Sequence, residues 1–268
     1  NKKLQLIYVK DSIMIIEDRQ LKIFEIIYLY IIIMLLLITL GTLFQKNFGI
    51  YGIFLIQITL ILFPVFLIVR FFKLNSNILF KFEIPSLTTI YNNISMWMTT
   101  LIIIGLVSHI QLKLFPNQMK DLELINNFFK ATKLWQQLLL FSLTPAICEE
   151  FLFRGLIFGS LKQKMKPEYA IIFSGILFGI FHIYPGKILT TALLGMLFAY
   201  SAHKTKSLLM PMILHFFNNA YIFILIPYTN QLQQNKNALT PIILIMFVLS
   251  FNGIYQFLKN SKYPSDWK

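Results

Sequence analysis

Long apolar runs, nearly free of charge, recur along this chain between short charged connections, and that pattern limits its folds more than any other feature. Apolar runs lie at roughly 24–44, 50–72, 95–113, 134–160, 168–186, 188–202, 207–228 and 240–258. A run of that length matches the ~20 residues an α-helix needs to cross a hydrocarbon core of ~30 Å. Backbone groups in lipid must be satisfied within their own segment, so such runs fold as helices rather than open strands. The expected fold class is all-α: a polytopic membrane bundle of about eight transmembrane helices around a central polar cavity. The 188–202 run is short and reads as a tilted or re-entrant piece. Of the residues, 57% are apolar and 13% charged, about half the charge of ordinary soluble domains.

The net charge of +13 raises the question of nucleic acid. Most of the cations, however, sit in short connections between apolar runs, where they anchor topology. With the N-terminus inside, sixteen Lys and Arg fall in cytoplasmic segments and seven in outer ones. Both termini are therefore expected in the cytoplasm, with the bilayer and no nucleic acid as partner. Residues 1–23 read as an interfacial tail, 24–133 as accessory helices with an amphipathic connection at 114–133, 134–228 as the core, and 229–268 as the last helix and tail. No short apolar stretch with a small-residue cleavage site precedes the first run, so no cleaved signal peptide is expected. The single cysteine, Cys148, excludes an intrachain disulfide and reads as a small packing residue. Trp97 and Trp135 read as interfacial anchors. Gly175, Gly179 and Gly195 read as points of close helix contact, and Tyr184-Pro185-Gly186 as a turn ending the fifth helix.

From the fourth run onward the character changes. Of eleven Asp and Glu residues, only Glu149 and Glu150 fall well inside an apolar run, with Arg154 beside them. An isolated charge at the bilayer centre costs about 2.5–3.5 kcal/mol on insertion scales, so these groups need partners or a wet cavity. The next helices add His182, His215, Asn218 and Asn219. At ~1.5 Å per residue from the cytoplasmic ends, Glu149 lies at ~18 Å, His182 at ~21 Å, His215 at ~12 Å and Asn219 at ~18 Å. Three helices thus deliver polar groups to one slab. Glu150 and Arg154 are four apart and share a face, which suits an ion pair. Glu149 is turned ~100° away and is left facing the cavity. His215 and Asn219 share a face, with Asn218 off it, and Phe178 stands one turn before His182 as an apolar wall.

Glu149-Glu150-x-x-x-Arg154, Phe178-x-x-x-His182 and His215-x-x-x-Asn219 together resemble the three motifs of the CPBP (Abi) family of CAAX-processing and bacteriocin-processing intramembrane proteases, relatives of the type II CAAX prenyl endopeptidase. The resemblance covers about residues 134–225. It implies that Glu149 and His182 activate a water, that His215 and Asn219 stabilise the tetrahedral oxyanion, and that Glu150, Arg154 and Phe178 support them. The implied substrate is a membrane-embedded or membrane-associated peptide, such as a CAAX-like tail, a bacteriocin or a signalling peptide. The family's usual metalloprotease label makes Glu149, His182 and His215 candidate Zn²⁺ ligands. The sequence has no His-Glu-x-x-His pair, and the favoured expectation is that no cofactor is required. The competing expectations are a non-catalytic bacteriocin-immunity membrane protein and a small-ion or proton-coupled transporter, although no repeat between chain halves of the transporter kind is present. The Ile-, Lys- and Asn-rich composition points to a bacterial cell membrane.

Overall fold

A computed structural model describes residues 4–9, 12–17, 19–114, 132–225 and 244–255. Most of the 114–133 connection and of the 229–268 tail lies outside the described residues. Near the N-terminus, β1 (Leu4–Val9) and β2 (Ser12–Glu17) pair antiparallel, with Leu4 opposite Glu17 and Val9 opposite Ser12. Everything else with regular structure among the described residues is helical. Each apolar run has its helix: α1 (Ile23–Phe48), α2 (Ile50–Phe71), α3 (Leu87–Leu114), α4 (134–161), α5 (Pro167–Phe181), α6 (Pro185–Thr205), α7 (Leu209–Leu225) and α8 (Leu244–Tyr255). By length and composition, Ile23–Phe48, Ile50–Phe71 and Leu87–Gln111 can each cross a membrane, while α5, α7 and α8 are shorter apolar helices. The 188–202 run proves to be the middle of a regular 21-residue helix, α6.

Two helices depart from α geometry for a reason visible in the sequence. In α2 the stretch Gln57–Leu62 is π-helical, and Pro64 follows one residue beyond it. In α4 the stretch Gln137–Leu143 is π-helical, and Pro145 follows. A proline inside a helix lacks the N–H for the carbonyl four residues back, and its ring crowds that carbonyl. Widening the preceding turns to i→i+5 spacing relieves the crowding. A third π stretch, Phe151–Phe158, contains Arg154 and Gly155; no proline accounts for it.

The core is built around α4. Phe153, Leu156, Ile157, Phe158 and Leu161 are buried against α1, α5 and α6. Tyr30 of α1 donates to Leu177 O of α5 at 2.9 Å, tying an early helix to the later ones. Helices α5 and α6 form a tight hairpin. A methyl group on Gly179 would overlap Ile188 O and Ala192, and one on Gly175 would overlap Met196, so the expected role of these glycines in close contact holds. The hairpin turn differs from expectation. Helix α5 ends at Phe181, Ile183 adopts a left-handed conformation (φ 60), and Pro185-Gly186 open α6 rather than closing α5. A β-branched residue at positive φ is a genuine outlier.

Trp97 also corrects an expectation. It is not an interfacial anchor but lies buried between α3 and α7, where its indole N–H donates to Asn218 Oδ1 at 3.2 Å. Trp135 is 54% exposed at the start of α4, as an anchor would be.

Candidate active site

Glu149 and Glu150 close the α-helical stretch of α4 that runs between its two π stretches. Both are buried, Glu150 completely. Arg154 Nη1 lies 2.9 Å from Glu150 Oε1, with both side chains fully shielded. This is the expected brace, and it reaches further than the sequence implied. Arg154 Nη2 donates to Gly195 O of α6 at 3.2 Å. The guanidinium also lies over the Phe178 and Phe198 rings, 4.4 and 5.1 Å from their centroids. Guanidinium over aromatic faces is favourable when desolvated, so the cation has hydrogen-bonding and π partners from three helices.

His215 joins the two carboxylates. Its Nδ1 is 2.8 Å from Glu150 Oε1, and its Nε2 is 3.9 Å from Glu149 Oε2. An ionised carboxylate only accepts, so Nδ1 carries the proton. Phe198 stacks on the imidazole (centroids 5.1 Å apart, planes at 23°), and Phe178 meets it edge-on at 5.7 Å. Phe198 is therefore clamped between Arg154 and His215. The expected apolar wall has two members, and the sequence reading had identified only Phe178.

Glu149 is turned away from the brace, as its phase required. Its Oε1 accepts from Gln57 Nε2 of α2 at 2.9 Å. Its Oε2 accepts from no described protein group. His182 caps the C-terminal end of α5, half-buried, with Nδ1 2.9 Å from Phe178 O. A carbonyl only accepts, so Nδ1 carries the proton and Nε2 is left as an acceptor. Among the described residues no hydrogen bond joins His182 to Glu149. Helix α5 has 15 residues, a length of ~22 Å that falls short of a ~30 Å core. Irregular backbone at such depth is tolerated where it lines a cavity, which suits a turn bearing His182.

Asn219 is held by a consequence of Pro145. The proline cannot donate to Phe141 O four residues back, and Asn219 Nδ2 supplies a donor to that oxygen at 3.1 Å. One N–H of the Asn219 amide remains for another acceptor. Asn218, the weaker candidate, is engaged by Trp97 and by Asn219. The array therefore brings Glu149, Glu150, Arg154 and His215 into direct contact, with His182 and Asn219 at its margin.

The expected zinc ligands can be tested against this geometry. The donor types suit zinc, and each histidine has its Nδ1 oriented by an acceptor, as metal-bound histidines do. The positions do not fit: among the described residues Glu149, His182 and His215 form no cluster that could hold an ion. No step below is routed through a metal.

Gln57 and Phe198 escaped sequence reasoning for different reasons. Gln57 is neutral, yet it is the one amide in α2, and a lone amide in an apolar span was a signal to follow. Phe198 is one of 27 phenylalanines and carried no such mark.

Comparison with known proteins agrees with the motifs. Residues 131–221 match the family described as "Type II CAAX prenyl endopeptidase Rce1-like". The Bacillus subtilis (strain 168) protein named "Putative membrane peptidase YdiL" is 33% identical over 104 residues, covering 38% of this chain and 43% of that relative. This chain thus spans less than half the length of the curated relative it matches. No solved structure matches significantly. The matched segment, 131–221, contains all three motifs.

Proposed function

We propose that this chain is an intramembrane endopeptidase, with the Rce1-like segment 131–221 carrying the chemistry. The observation that carries the reading is the carboxylate pair. Glu150 is neutralised by Arg154 and His215, while Glu149 Oε2 stands 3.9 Å from His215 Nε2 with no protein donor upon it. A buried acceptor so placed is suited to general-base work, which commonly contributes 10²–10⁴-fold to a rate.

In the proposed reaction Glu149 takes a proton from a water as its oxygen bonds to the scissile carbonyl carbon, with His182 Nε2 as a second acceptor for that water. The carbonyl π bond opens to an oxyanion. His215 Nε2 and the remaining Asn219 N–H are the nearest candidate donors to it. Because His215 Nδ1 already donates to Glu150, donation from Nε2 requires the imidazolium. Collapse of the intermediate breaks the C–N bond, and the proton held by Glu149 passes to the leaving amine. Fixed donors at an oxyanion are worth about 2.7–4 kcal/mol each.

The proposed substrate class rests on the family resemblance: a peptide anchored in or on the bilayer, such as a CAAX-like tail, a bacteriocin or a signalling peptide. Cytoplasmic termini and a bacterial cell membrane belong to the same proposal. The deciding experiment compares membrane-associated and secreted peptides from cells with the wild-type chain and with Glu149→Gln at equal expression. Cleavage is expected to fall about 10²–10⁴-fold. Products unchanged in the variant would remove the peptidase reading in favour of a non-catalytic immunity protein or a transporter. Activity of the purified protein is expected to survive a strong zinc chelator, and loss restored by added zinc would refute the metal-free step.

A further inference from the structure

The proposed catalytic carboxylate is held from outside the segment that matches the family. Gln57 lies in α2, more than seventy residues before residues 131–221. It is buried, begins the π stretch Gln57–Leu62, and spends its amide N–H on Glu149 Oε1 at 2.9 Å. A carboxylate offers only acceptors, so the amide must present its nitrogen side. Burying an amide in an apolar span is costly without compensating hydrogen bonds; this bond satisfies the nitrogen side, while Gln57 Oε1 has no partner among the described residues. It also engages one Glu149 oxygen and leaves the other, Oε2, on the side of His215.

We infer that Gln57 is a positioning residue for Glu149: it fixes the carboxylate rotamer so that Oε2 faces the reacting water. The inference rests on the peptidase reading above. It extends the working unit beyond the Rce1-like segment to include α2, whose π turns set where residue 57 projects. A charge-assisted hydrogen bond of this kind is worth enough to alter a rate roughly 10- to 100-fold when only the donor is removed.

The test uses the full-length purified chain and a membrane-associated reporter peptide that the wild-type protein cleaves. Gln57→Met keeps the length of the side chain and removes the donor. Its kcat is expected to fall about 10- to 100-fold, with KM within about twofold of wild type and the yield of monodisperse protein unchanged. If Gln57→Met does not give folded protein, Gln57→Leu, which likewise lacks the donor, must show the same loss of kcat. Unchanged kcat, a raised KM at unchanged kcat, or a loss matched by loss of folded protein would each overturn the positioning role. Glu149→Gln, measured alongside, separates the two claims. If it cleaves at the wild-type rate, the peptidase reading itself fails. If it is inactive while Gln57→Met keeps its kcat, only the role of Gln57 fails.

Discussion

Arg154 is the residue on which most of the buried charge depends. It neutralises Glu150, reaches Gly195 O and lies against two aromatic rings, with no exposure of its side chain. Removing one partner of a buried ion pair strands the other charge, at a cost of about 3–5 kcal/mol. Arg154→Ala is therefore expected to lower thermal stability and folded yield in detergent, and not only the rate of cleavage. Normal yield and melting temperature would show that Glu150 does not need its brace. Phe198→Leu separates a second contribution. The substitution keeps an apolar side chain of similar bulk but loses the stack on His215 at 5.1 Å. Cleavage is expected to drop while folded yield changes little, and the ratio of activity to folded protein decides the matter.

At the scale of elements, prolines and glycines shape the site without touching substrate. Pro145 has no N–H to give Phe141 O, and Asn219 donates to that oxygen. Pro145→Ala restores a helical N–H that competes for that oxygen. The expected outcome is a helix no less stable, with a lower rate because Asn219 is no longer pinned. An unchanged rate would show that the Asn219 contact is incidental to the chemistry. Gly179 works by space alone, since a methyl group there meets Ile188 O and Ala192. Overpacking of this kind costs about 1–3 kcal/mol. Gly179→Ala is thus expected to open the α5–α6 hairpin that presents His182, with a lower melting temperature as the readout.

At the scale of the molecule, the proposed orientation has a direct test. Cys148 is the single cysteine and is buried, so a membrane-impermeant thiol reagent has little background to label. Lys46→Cys, in the last turn of α1 at the end proposed to be outside, is expected to react in intact cells, and Lys166→Cys only after permeabilisation. The reverse pattern would invert the topology. The fold was legible at this scale because lipid imposes length and apolarity on every helix it holds. All eight apolar runs carry a helix among the described residues. The turn at 182–184 was not legible, because Pro185 after Tyr184 reads equally as the end of one helix or the start of another.

The sequence by itself determined the helical class, the three motif-bearing helices and the pairing of Glu150 with Arg154, since four-residue spacing on one helix is a local property. It also determined that Glu149 points away from that pair. Only the tertiary structure decided what Glu149 meets. Gln57 comes from a distant helix, and neither charge nor periodicity distinguishes an amide that finds a partner from one that does not. Spacing places His215 beside Asn219, yet in space it turns to the carboxylates while Asn219 turns to the carbonyl of Phe141. Spacing along one helix fixes which side chains share a face; the neighbours across from that face depend on how the helices pack.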